Sequence, residues 1–177
     1  MKGKKGISAI VATMLLVVLT LALAVMVATV AIPFVRDSLR SSTECSPYKN
    51  YYTFDSSFNL NCFDLSVAKI SIKTAQINPD VAKKVKGIQF VFTTEGGLSE
   101  SVKFIENTPG SCSAGDIIGY EATCPASDTL KLPKLGESRS YKYFPKNRIQ
   151  GYVSVFPILD NERTCEASDR IKLVSCT

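Results

Sequence analysis

Ile7–Val35, ISAIVATMLLVVLTLALAVMVATVAIPFV, carries no charge and consists almost wholly of Ala, Val, Leu, Ile, Met and Thr. As a helix its 29 residues extend about 43 Å, against about 30 Å for the hydrocarbon core of a bilayer. A removable secretory signal has a shorter apolar core, about 7–15 residues, closed by a small-residue cleavage site. Here ALAVMVATVA offers small residues, but the hydrophobicity continues past them to Phe34 and Val35. Cleavage near Ala24 would therefore leave an apolar tail, and the segment reads as a retained span. Pro33 lacks a backbone donor and predicts a kink or an end to the helix near Ile32.

The flanks set the orientation. Lys2, Lys4 and Lys5 precede the span without any acid, and Arg36, Asp37 and Arg40 follow it. Basic residues stay on the cytoplasmic side, which places the N-terminus inside. All six cysteines, Cys45, Cys62, Cys112, Cys124, Cys165 and Cys176, lie beyond the span. An even number confined to one side implies an oxidising exterior and a disulfide framework. Zinc fits poorly, because there is no histidine and no CxxC, and the gaps of 17, 50, 12, 41 and 11 follow no metal-ligand spacing.

Outside the span the composition is ordinary. The mean hydropathy of +0.10 averages two unlike parts, and the residues after position 40, about 137 of them, suit one domain. Net charge is +5, but removing Lys2, Lys4 and Lys5 from the 21 basic residues leaves 18 against 16 acids, interspersed along the chain. That is a solvated surface of mixed sign, and no nucleic-acid partner is expected.

Small residues recur at helical spacing within the span: Ser8 with Ala12, Ala9 with Thr13, and Thr20, Ala24 and Ala28 four apart. Such rows let helices approach closely. The start of the span, Lys4, Lys5 and Gly6 followed at once by Ile7, Ser8, Ala9, Ile10 and Val11, resembles the class III signal of type IV pilins, in particular of archaeal pilin-like proteins. The resemblance implies that a prepilin peptidase recognises Lys4–Ser8 and cuts after Gly6, so that the mature chain begins with the helix. Bacterial members carry Glu at the fifth mature position, where this chain has Val11, which argues for the archaeal branch. Archaeal members often have Pro two residues after the first mature one, where this chain has Ala9.

The same resemblance implies partners: the prepilin peptidase, identical or related pilin subunits packed through Ser8, Ala12, Thr20, Ala24 and Ala28, and an assembly platform in the membrane. Attachment to surfaces or other cells follows as the role. The physics is consistent, since a helix apolar all round suits lipid first and neighbouring copies later, whereas leader lysines would be costly inside a bundle. The implied organisation is a leader at 1–6, a membrane and filament-core helix at 7–40, and an extracellular domain at 41–177.

Beyond Arg40 the period changes to two. VAKISIK at 67–73 puts Ala68, Ile70 and Ile72 on one face, and GIQFVF at 87–92 aligns Ile88, Phe90 and Phe92. Gly96 and Gly97 before SVKFI at 101–105 predict a hairpin. Runs at 129–132, 140–144, 152–156 and 171–174 bring the count to seven, broken by Pro109, Pro133, Gly136 and Pro157. The expected fold is α+β in the pilin sense: a long N-terminal hydrophobic helix, then an all-β, immunoglobulin-like sandwich of about seven strands.

Ser41–Leu65 is irregular and rich in aromatics: Tyr48, Tyr51, Tyr52, Phe54, Phe58 and Phe63. These form either an adhesive surface or the packed underside of a stapled loop, and aromatics are mostly core material. Near-neighbour disulfides close easily, which predicts Cys45–Cys62, Cys112–Cys124 and Cys165–Cys176, with Cys45–Cys176 as the competing long-range pair.

No catalytic pattern appears. There is no histidine, no phosphate- or dinucleotide-binding glycine motif, no GxSxG, and the aspartates are scattered without calcium-loop spacing. Nor is there an N-glycosylation acceptor. No catalytic residue, metal or cofactor is therefore expected. Two readings stand: a filament subunit, and a non-polymerising single-pass surface protein whose outer domain binds a ligand.

Overall fold

The computed structural model describes residues 5–57, 59–64, 66–76, 78–125, 128–147 and 150–176. The chain forms two compact units, Met1–Glu44 and Cys45–Thr177.

The first unit is helical. α1 spans Lys5–Met26, a π-helical turn spans Val27–Ala31, and α2 spans Ile32–Cys45. Of the two outcomes that Pro33 allows, a kink or an end near Ile32, the helix does not end there: it continues as α2 after a local change to π-helical geometry just before the proline. Pro33 cannot bond the carbonyl four residues back and its ring crowds that carbonyl. Widening the preceding turn relieves both problems, and the Ile32 N–H reaches back five residues to the Val27 carbonyl.

The second unit is two sheets. β1 (Tyr52–Phe54), β2 (Cys62–Phe63), β3 (Ala68–Thr74), β6 (Ile117–Gly119), β7 (Ser138–Tyr143) and β10 (Val174–Ser175) form one, ordered β10-β2-β3-β7-β6 with β1 also on β3. β4 (Val85–Thr94), β5 (Ser99–Ile105), β8 (Gly151–Leu159) and β9 (Asp169–Lys172) form the other, ordered β5-β4-β8-β9. Pairs are antiparallel apart from β10 on β2.

Alternation explains the layering. Ile70 and Ile72 of β3 and Tyr141 and Tyr143 of β7 point into one core with Ile88, Phe90 and Phe92 of β4 and Val153 and Val155 of β8. Rings join the sheets: Phe92 stacks on Tyr143 with centroids 4.3 Å apart, and Tyr141 meets Phe90 at 5.9 Å and Phe104 at 5.3 Å. Such pairs add to the burial of their own area.

Two expectations about strands need correction. The run at 129–132 forms only an isolated bridge, Thr129 to Pro109. Leu130 and Leu132 do turn inward, but Pro109 offers no N–H and Pro133 stops the run, so no ladder develops. Conversely β1, β2, β6 and β10, two or three residues each, are too short for alternation to reveal. Ten strands thus replace seven among the described residues.

Two glycines and a proline have definite jobs. Only Gly97 of the β4–β5 turn takes a positive φ, +84°, closing a three-residue loop in which the Thr94 N–H donates to the Leu98 carbonyl at 2.8 Å. Gly151 lies so close to β4 that a Cβ there would stand 2.0 Å from the Thr93 carbonyl oxygen. Pro157, read as a strand breaker, instead lies inside β8. Its carbonyl accepts from the Cys165 N–H at 3.0 Å, so its own nitrogen also faces away from β4. On that side β9 has already ended at Asp169, paired with Val155, and no ladder donor is missing.

The disulfides are Cys45–Cys165, Cys62–Cys176 and Cys112–Cys124. The near-neighbour pairing holds for the last and fails for the other four cysteines. β9 and β10 stretch the chain between Cys165 and Cys176 and carry its ends apart. β10 lies parallel to β2, with Val174 opposite Cys62 and the Cys176 N–H donating to the Phe63 carbonyl at 2.9 Å. Ser168 donates to the Tyr48 carbonyl at 3.0 Å, which keeps the 165–168 segment beside Cys45. The two long bridges have sequence separations of 120 and 114, for which chain entropy allows about 4.7 kcal/mol each, against about 3 for a short loop.

Non-reducing peptide mapping should recover Cys45–Cys165 and Cys62–Cys176 fragments, and replacing Cys62 and Cys176 by Ser should cost about 2–5 kcal/mol in denaturant melts. Phe92→Ala, which removes the stacked ring, should lower stability by about 3–5 kcal/mol in the same assay without changing the disulfide map.

Candidate functional site

The helical unit presents an unusual surface. Ile10–Arg36, 27 residues, is long and apolar enough to cross a membrane, and none of it is buried. Its large side chains are open throughout, from Met14 at 69% to Phe34 at 72% exposure. The polar atoms along it are hidden by the helix itself: Thr13 donates to the Ile10 carbonyl at 2.9 Å, Thr20 to Val17 at 2.9 Å and Thr29 to Val25 at 2.8 Å. With these three hydroxyls folded onto their own backbone, the described surface from Ile10 to Val35 shows apolar groups.

Ala12, Thr20 and Ala24 lie exposed on α1 and Ala28 lies in the π-helical turn. Lys4 falls outside the described residues, and Lys5–Ser8 form the first turn of α1. The Gly6–Ile7 bond therefore lies where the first N–H groups have no partner within the helix.

In the outer unit the aromatics of Ser41–Leu65 go inward. Tyr48, Tyr51 and Tyr52 are buried and meet edge to face, at 6.0 and 4.6 Å, and Tyr48 Oη donates to the Val81 carbonyl at 3.1 Å. Phe54 and Phe63 pack partly against the core, and Phe58 lies outside the described residues. Burial raises the Tyr51 hydroxyl to about 12, with Tyr48 adding to the effect. The adhesive-surface reading of these rings gives way to a packing one.

A cleft of about 660 Å³ opens beside β7 of the six-stranded sheet. Residues 137–141 of β7 and the turn before it line it, with Leu60, Gly119–Ala122, Asp128, Thr129 and Lys131 around them. The walls are held from behind. Cys112–Cys124 closes the loop that carries Gly119–Ala122, and Lys142 Nζ donates to the Ala122 carbonyl at 3.3 Å while lying 5.1 Å from the centroid of Tyr120. Asp128–Lys131 is tied to 107–110 by Leu130 N–H to Thr108, 2.8 Å, and Asn107 N–H to Leu130, 2.7 Å. No stretch of sequence signals this cleft, because its lining comes from four separate segments.

Three carboxylates organise the surrounding loops. Asp55 accepts from the Ser138 hydroxyl and from the Ser57 N–H, and these bonds, the serine hydroxyl first, lower its pKa. The Lys134 N–H, 2.9 Å away, is the main reason Glu137 is lowered, and Arg139 adds its charge at 3.0 Å. Burial opposes ionisation of Glu100, yet its pKa is still lowered, because Asn147, Tyr143 and the Lys146 N–H all donate to it. Glu100 stands on β5 and Tyr143 on β7, so this carboxylate also links the two sheets.

A lowered folded-state pKa stabilises at neutral pH, and that stability is lost as pH falls below the ordinary carboxylate range of about 4. Thermal midpoints should hold from neutrality down to about pH 5 and then drop, and Glu100→Gln should flatten part of that drop. No protein-family model matches the chain, and neither does any curated protein or solved structure.

Proposed function

We propose that this chain is a pilin-like structural subunit, without enzymatic activity, of an extracellular filament of the archaeal type IV kind. It is inserted with its N-terminus inside, cut after Gly6 by a prepilin peptidase, and assembled on a membrane platform through the helix beginning at Ile7. The outer unit, an immunoglobulin-like sandwich in its two-layered antiparallel build, is then displayed on the filament for attachment. The observation that carries this reading is the helix itself: 27 residues with none buried, directly behind Lys4, Lys5 and Gly6, with the threonine hydroxyls self-bonded.

Such a surface is equally at home in lipid and against copies of itself, and the row Thr20, Ala24, Ala28 permits close approach. A single-pass surface protein that never polymerises needs only the first of these environments. The small-residue row favours the filament.

N-terminal sequencing of protein from cells that possess the peptidase should begin at Ile7, and Gly6→Val should retain the leader at 1–6 and abolish filaments in sheared surface fractions. Ala24→Phe should leave membrane insertion intact while strongly reducing filament yield. A mature chain that still carries the leader, or filament yield unaffected by Ala24→Phe, contradicts the reading.

A further inference from the structure

The strands of a sandwich ordinarily leave little room beside them, but here pinned walls make a recess next to β7. We propose that this cleft is a binding site for a neutral carbohydrate, a short oligosaccharide held through its hydroxyl groups. The inference stands apart from polymerisation, since every lining residue belongs to the second unit.

Size and charge narrow the ligand. About 660 Å³ falls within the range of about 300–1,000 Å³ typical of small-molecule sites. Lys131 and Arg139 share the lining with Glu121, Asp128 and Glu137. A polyanion would meet three carboxylates and a polycation two cations, one of them already paired with Glu137, so the mixed lining is built for neither. An apolar ligand would find few apolar partners, chiefly Leu60 and Ala122 with Tyr120 and Tyr141.

What the cleft does offer is donors and acceptors side by side. Ser138 and Ser140 give their protons to Asp55 and to the Ser71 hydroxyl, the latter at 3.0 Å, which leaves their oxygen lone pairs as acceptors. Arg139 is two-thirds buried and gives one nitrogen to Glu137 at 3.0 Å, its Nε being enclosed away from the surface. Lys131 adds a further donor, and Glu121 and Asp128 are exposed acceptors. A sugar hydroxyl donates and accepts at once, and so complements such a mixture better than a ligand of one kind. Tyr120, with Lys142 Nζ 5.1 Å from its ring centroid, adds an aromatic side chain to one wall, of the type that packs against the apolar side of a pyranose. Because the walls are tied down beforehand, little ordering remains to be done on binding.

The test uses full-length chain in detergent, titrated with fluorescently labelled cellotetraose, maltotetraose, mannotetraose and chitotetraose, and with tetragalacturonate as the anionic counterpart. Gly119 supplies the decisive variant: it lines the cleft and a Cβ there meets nothing within 4 Å, so Gly119→Leu adds bulk at the cleft from a position with open space, and its thermal midpoint checks the fold. Asp128→Ala removes an acceptor, and Lys103→Ala on β5 serves as the remote control. All variants should keep the parent's thermal midpoint. At least one neutral probe should bind saturably, with affinity reduced about tenfold or more by Gly119→Leu and Asp128→Ala and unchanged by Lys103→Ala. Binding of tetragalacturonate alone, of no probe, or of a neutral probe unaffected by Gly119→Leu overturns the proposal. Because the chain is measured unassembled, those results leave the filament reading untouched, and a failure to form filaments leaves this one untouched.

Discussion

The layer of rings between the two sheets is the interaction on which the outer unit depends. Phe90, Phe92 and Phe104 from one sheet meet Tyr141 and Tyr143 from the other. Large rings in a dry layer bring both burial and preferred geometry. The rest is arranged around it: β1 and β2 share one edge of β3, the C-terminal residues return as β10, and the long disulfides lock segments that packing has already brought together. Glu100 and Tyr143 add a polar tie at the rim of the same layer.

The helical unit obeys a different constraint. Its apolar side chains are uncovered by its own chain, and at about 25 cal/mol per Å² of apolar area that exposure is strongly unfavourable in water. A bilayer or a sheath of similar helices removes the cost. Self-bonded threonines and the π-helical turn before Pro33 keep the backbone and hydroxyls satisfied in either setting. On the proposed readings, function at this end of the chain depends on environment and neighbours, and at the other end on a recess with fixed polar groups.

Legibility divided along the same line. The span was readable because hydrophobicity over 29 residues is a one-dimensional property, and the inward faces of β3 and β4 were readable because period two survives in Ile70, Ile72, Ile88, Phe90 and Phe92. TLKL had the same period but lacked a partner strand, since Pro109 stood opposite. β2 and β10, two residues each, carry no period at all. The cleft had no signature, because Leu60, Tyr120, Lys131 and Arg139 become neighbours only after four segments fold together.

By itself the sequence determined that a charge-free apolar helix precedes a cysteine-bearing β domain, and which faces of its longer strands turn inward. These follow from composition and local period, which need no partner. Tertiary structure alone decided the pairing of Cys45 with Cys165 and Cys62 with Cys176, the continuation of β8 through Pro157, and the inward turn of Tyr48, Tyr51 and Tyr52. Each of those depends on which distant segment lies alongside, and strand pairing over more than a hundred residues is invisible to any local pattern.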